Sequence, residues 1–184
     1  GYNIVFSGLS DLMDTALSEE ETAKIEQAIN SIQGVIRSHD LRTRRIGSEV
    51  LMDVHVLVDR EASVSEGHHI AESVRRKLIR EFDSIQEVLV HIDTEDDTDF
   101  ETIYWVSRED LRKQADPIIA SIPEIAMRTH LRTHYHRGKA LLEVYVKLKG
   151  GLSPEQTLEV LSRLKSQLMN LGQVDDVRVY IDVN

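Results

Sequence analysis

The chain contains no cysteine, so neither a disulfide nor a thiolate-bound metal can form, and the composition suits a reducing compartment. Positive charge is in deficit. Lys and Arg together number 22 against 32 Asp and Glu, which gives a net charge of −10 and a pI near 5.2. A nucleic-acid surface needs a clustered basic stripe, so none is expected; an acidic field draws cations instead. No apolar run approaches the ~20 residues of a bilayer span, and no signal peptide is visible, so the residues present are expected to form a soluble domain. Glycine-rich phosphate loops and nucleophile motifs are also missing, which argues against an enzyme.

What is present is a duplication. Val88-Leu89-Val90-His91-Ile92-Asp93 returns as Val177-Arg178-Val179-Tyr180-Ile181-Asp182. Leu41-Arg42-Thr43 followed by Leu51-Met52-Asp53-Val54-His55-Val56 returns as Leu131-Arg132-Thr133 followed by Leu141-Leu142-Glu143-Val144-Tyr145-Val146. The apolar positions persist while histidine becomes tyrosine twice. The expected organisation is a non-repeating segment over 1–17, a first copy over 18–94, an acidic linker over 95–106 and a second copy over 107–184. Each copy is small enough to be marginal alone and to gain from packing on a neighbour.

The pattern within a copy is α-β-β-α-β. Ser18 before Glu19-Glu20-Glu21 reads as a helix N-cap with acidic first-turn residues. Ile25, Ala28, Ile29 and Ile32 supply an apolar stripe, with Gly34 as a stop. Val35 to Arg45 reads as a polar edge strand, Gly47-Ser48 as a turn, and Val50 to Asp59 as an alternating strand. A second helix opens at Ser65-Glu66 and carries Ala71, Val74, Leu78 and Phe82 on one stripe. In the strand that follows, Val88, Val90 and Ile92 take one face and Leu89, His91 and Asp93 the other. The second copy repeats the order: a helix from about Arg108 to Ser121 interrupted by Pro117, strands near 125–136 and 139–149, a helix opening at Ser153-Pro154-Glu155 and a strand from Val177.

Potential ligands gather in the first copy: His39, His55, His68 (beside His69), His91 and Asp93. His91 and Asp93 are two apart in a strand and leave the same face, opposite the valine–isoleucine stripe, and His55 is likewise opposite Val54 and Val56. Neutral imidazoles with a carboxylate and no thiols suit Zn²⁺ or a neighbouring ion such as Mn²⁺, Fe²⁺ or Co²⁺; Ni²⁺ and Cd²⁺ also tolerate such donors.

These residues resemble a family. His39-Asp40-Leu41-Arg42-Thr43-Arg44, Asp53-Val54-His55, His68-His69-Ile70-Ala71-Glu72-Ser73-Val74 and Val90-His91-Ile92-Asp93 are similar to the cytosolic C-terminal domain of the cation diffusion facilitator transporters. Ser7 to Leu17 is similar to the stretch that follows that family's last transmembrane helix. The resemblance implies an α+β fold of two tandem αββαβ metallochaperone-like (ferredoxin-like) modules, each a three-stranded sheet with two helices. It implies a regulatory, metal-sensing homodimer on the cytoplasmic face of a membrane, attached to a transmembrane part and tuning a proton-coupled efflux pump. Carried over residue by residue, the metal ligands fall on His39, His55, His68, His91 and Asp93, with the helix histidine reaching the partner subunit. The alternative is a purely structural dimerisation module that binds no metal physiologically. The second copy departs from the pattern: Thr129, Tyr145 and Tyr180 align with His39, His55 and His91, and Asp182 alone persists, while His130, His134 and His136 cluster on its first strand.

Overall fold

The structure, a computed structural model, describes residues 16–96, 106–136 and 138–183. Most of the 1–17 segment and of the acidic linker therefore lies outside the described residues. The chain divides into two compact units between Asp99 and Phe100. The first runs α1 (Glu19–Asn30), β1 (Arg37–Ile46), β2 (Glu49–Leu57), α2 (Val64–Glu81) and β3 (Ile85–Asp93); the second runs α3 (Arg108–Ala120), β4 (Ile125–His136), β5 (Lys139–Leu148), α4 (Pro154–Met169) and β6 (Val174–Ile181). The fold is α+β, with a three-stranded sheet and two helices in each unit.

Both sheets share one topology. The first strand pairs antiparallel with the second, and the third lies parallel to the second on its other side, giving the orders β1-β2-β3 and β4-β5-β6. A tight turn suffices for the antiparallel pair; Gly47 supplies it with a φ of +60°, a region glycine enters without steric cost. The parallel pair requires a crossover, which α2 and α4 provide.

One face of each sheet holds the core. Alternation along β2 sends Val50, Met52, Val54 and Val56 into contact with Ile25 and Ile29 of α1 and Ile70, Val74 and Leu78 of α2. The matching set in the second unit is Leu142, Val144 and Val146 against Leu111, Ala115 and Ile119 of α3 and Val160, Leu164 and Leu168 of α4. The buried stripe of α2 runs Gly67, Ile70, Val74, Leu78, one residue round from the expected stripe at its start. Gly67 explains the shift: a Cβ there would lie 3.2 Å from Ile92 Cγ2, so its absence lets the helix press closely on β3.

Helix ends follow local chemistry. Ser18 closes a capping box on α1, accepting from the Glu21 amide while Glu21 accepts from the Ser18 amide. α1 ends at Asn30 with Ser31 as its cap, four residues before Gly34, which makes the following turn with a φ of +92°. α2 opens at Val64 rather than at Ser65-Glu66, because the Ser63 hydroxyl already accepts from the Glu66 amide. Pro117 does not interrupt α3. It removes one amide in the final turn, while burial of Leu111, Ala115 and Ile119 keeps the helix running to Ala120.

Each unit's core sets its own stability. Replacing Leu78 or Leu164 by alanine should cost about 2–5 kcal/mol in the unit that contains it; denaturant unfolding followed by hydrogen exchange would localise the loss. Ser18→Ala should cost about 1 kcal/mol through the cap. Its hydrogen bonds to Ser18 hold the Glu21 carboxyl below its ordinary value of 4.5. The charged form is thus favoured in the folded state. That stabilisation is present above pH 4.5, is lost as pH falls through Glu21's lowered value, and should vanish in Glu21→Ala at every pH.

Candidate metal centre

The face of the first sheet turned away from the helices carries the ligand-type side chains, and strand register aligns them. His39 of β1 lies opposite His55 of β2, and His55 lies opposite His91 of β3. Three imidazoles thus form a row across all three strands. Asp93, two residues beyond His91, leaves β3 on the same face, level with Leu57.

Within that row, His39, His55 and Asp93 converge. One potential ligand atom from each lies within 4.8 Å of the others, and among the described residues no further group of three does so. His55 Nδ1 stands 2.8 Å from Asp93 Oδ2, and His39 Nε2 stands 3.6 Å from the same oxygen. All three are partly sheltered, with side-chain exposures of 9% for His39, 30% for His55 and 20% for Asp93. Ligands about 2.0–2.1 Å from a tetrahedral ion stand roughly 3.3 Å apart, so these separations fit a small divalent cation after slight adjustment. Two imidazoles and a carboxylate would leave a fourth position for water or for a group from elsewhere.

The other expected ligands stand differently. His91 is exposed, and its ring stacks on His55 with centroids 4.6 Å apart and planes 15° apart; it buttresses the His55 ring without joining the converging group. His68 and His69 are exposed on α2, which covers the opposite face of the sheet, so neither reaches the group within one protomer.

The second unit repeats the geometry with different chemistry. Tyr145 and Tyr180 are register partners, as His55 and His91 are, and stack with centroids 4.8 Å apart and planes 21° apart. The Tyr145 hydroxyl lies 3.5 Å from Glu143 Oε2 and donates to it, and Arg132 sits 5.5 Å over the ring. Burial first, then the Glu143 charge, pushes the Tyr145 phenol above its ordinary value of 10.0. It therefore stays protonated at neutral pH and offers no anionic ligand. One expectation needs correction here. Sequence offset pairs Thr129 with His39, but strand register sets His130 opposite Tyr145, because the second of two irregularities in β4, between Arg128 and His130, leaves Thr129 as the extra residue. His134 Nε2 lies 3.8 Å from Glu143 Oε2.

Sequence reasoning passed over Asp40. It is the one described non-glycine residue with positive φ, +48°, and it lies in the register shift that follows His39. Aspartate is depleted in strands, and its presence within β1 was the available signal.

Residues 17–95 match the family model described as "Cation efflux protein, cytoplasmic domain". The chain is 40% identical over 83 residues to metal tolerance protein C1 of Arabidopsis thaliana, a match covering 45% of this chain and 18% of that protein. It is 34% identical over 88 residues to the cation-efflux pump FieF of Yersinia pestis, covering 48% and 29%. The matches thus span under a third of these relatives' lengths. Among solved structures, a manganese form of a MamM CTD variant aligns at 27% identity with a TM-score of 0.41, covering 42% of this chain and 98% of that one. Residues 17–95 of the chain are thus similar to the cytoplasmic domain of the cation efflux proteins.

Proposed function

We propose that residues 18–94 form the metal-sensing, regulatory and dimerisation domain of a proton-coupled divalent-cation efflux transporter of zinc, iron or manganese type. Residues 107–184 are on this reading a second copy that has given up its ligands, joined through the 95–106 linker. The observation that carries the proposal is the convergence of His39, His55 and Asp93 on the sheet face opposite α1 and α2. The names of the relatives, a metal tolerance protein and a cation-efflux pump, point the same way.

The chemistry follows from the donors. Without an ion, His55 Nδ1–H donates to Asp93. A cation held by that nitrogen and that carboxylate displaces the shared proton, which a neutral ring carries on Nε2 instead and a protonated ring must release, so binding weakens in acid. Zn²⁺ suits two imidazoles and one carboxylate best, with Mn²⁺, Fe²⁺, Co²⁺, Ni²⁺ and Cd²⁺ also compatible. His91 and the partner subunit's copy of the exposed His68 are the candidates to complete coordination or to hold a second ion. Like groups facing one another across two subunits repel, carboxylate against carboxylate or imidazolium against imidazolium; a bound M²⁺ offsets the carboxylate repulsion and displaces the imidazolium protons, and so biases the pair toward a closed arrangement, which the attached transmembrane part reads.

A structural dimerisation module is the second reading. Its support is the His55–Asp93 hydrogen bond and the His55–His91 stack, which give these side chains protein partners without an ion.

Calorimetric titration with Zn²⁺, Mn²⁺ and Co²⁺ separates the two. The expected result is saturable binding that is lost in His55→Ala and in Asp93→Ala, by more than the about 10–100-fold that loss of an outer-shell partner costs, with light scattering reporting a dimer tightened by metal. No binding by the parent chain would favour the structural reading. Tyr180→Ala should leave metal affinity unchanged and cost about 1 kcal/mol of stability, because the exposed ring mainly contributes its stack on Tyr145. Affinity for metal should fall as pH drops through about 6–7, where free imidazole takes up its proton; equal affinity at pH 5 and pH 7.5 would exclude a histidine site.

A further inference from the structure

Strict alternation would put His39 on the wrong side of the sheet. Leu41, Thr43 and Arg45 all face the helices: Leu41 packs against the core, the Thr43 hydroxyl accepts from the Leu17 amide, and Arg45 reaches Glu21 of α1. His39 shares their parity, so a regular β1 would turn it toward α1 and present Asp40 opposite His55 instead. The register prevents this. His39 pairs with His55 and Arg42 pairs with Asp53, so Asp40 and Leu41 together face the single residue Val54. This is a β-bulge, and the extra residue reverses the facing of everything before it. Ser38 accordingly turns to the helix side, where its amide and hydroxyl both donate to Asn30 Oδ1 of α1, and His39 turns to the open face. Asp40 bears the conformational cost. Its φ of +48° lies in the left-handed region, which aspartate enters more readily than other side chains and β-branched residues scarcely at all.

We propose that Asp40 is a positioning residue: its left-handed backbone holds the bulge that makes His39 a ligand alongside His55 and Asp93. The second unit offers an internal contrast. There β4 carries irregularities between Ile125 and Met127 and between Arg128 and His130, no described residue of β4 has positive φ, and the Thr129 hydroxyl donates to the Tyr145 carbonyl. Thr129, which occupies the position of His39 by sequence offset, is therefore the bulged residue itself rather than a member of the row. The facing of this one position depends on where the extra residue sits.

The inference rests on the metal-binding reading, and the experiment separates the two. Co²⁺ is titrated into the full chain while its visible absorption reports the ligand set, using the parent, Asp40→Gly, Asp40→Asn, Asp40→Val and His39→Ala. Glycine and asparagine both tolerate positive φ, whereas valine does not. The expected result is parent-like affinity and spectrum for the glycine and asparagine variants. The valine variant should lose affinity as His39→Ala does, with a matching spectrum and no further loss when the two changes are combined. Parent-like binding by Asp40→Val overturns the inference while leaving the metal site standing. A loss in Asp40→Asn equal to that in Asp40→Val also overturns it, because the carboxylate rather than the backbone would then be responsible. Failure of the parent to bind Co²⁺ overturns the functional reading itself. Should the valine variant fail to fold, Asp40→Ala, which disfavours positive φ with less bulk, takes its place with the same expected spectrum.

Discussion

In β2, Val50, Met52, Val54 and Val56 are almost wholly buried while Leu51, Asp53, His55 and Leu57 alternate with them on the other face. A slip of one residue would exchange the two sets, exposing four core side chains, each worth about 1.5–3 kcal/mol when fully buried, and driving Asp53 and His55 into the helix layer. The register of the central strand is therefore strongly fixed, and both neighbours must pair with it as it stands. The two described helices of the unit pack on one side, and the opposite face carries whatever the remaining positions encode. In the first unit those positions encode imidazole and carboxylate.

The same frame hosts two different chemistries. Parallel pairing of the second and third strands places His55 beside His91 and Tyr145 beside Tyr180, and both pairs stack at nearly the same separation. Backbone register alone sets that spacing; the ring identity decides what it can do. Neutral imidazole offers a lone pair to a cation, whereas the Tyr145 phenol, its pKa raised by burial, keeps its proton and engages Glu143 and Arg132. Different residues at paired positions thus give an imidazole row in one sheet and a tyrosine packing contact in the other, with the same topology in both.

The edge strands have more freedom than the central ones. β2 and β5 are held on both sides, but β1 and β4 pair on one side only and can each absorb an irregularity without breaking a second ladder. Both do, β1 once, after His39, and β4 twice, after Ile125 and after Arg128. His39, on an edge strand, is nevertheless the least exposed of the three converging groups.

Periodicity made most of this architecture legible. The order of elements, the buried valine stripe of β2 and the shared face of His55, His91 and Asp93 all follow from side-chain alternation, which is local and survives any tertiary arrangement. The duplicated strings likewise placed tyrosine where the first unit has histidine. Other features depend on groups distant in the chain. The start of α2 turned on which of two serines bonded to the Glu66 amide, and its buried stripe on how closely Gly67 approaches Ile92. The continuity of α3 through Pro117 came from burial that propensity does not register. Above all, parity alone would have turned His39 toward the helices. Only the pairing of β1 with β2, which sets two residues against Val54, brings it beside His55 and Asp93, because a bulge is a property of two strands and is invisible in either one.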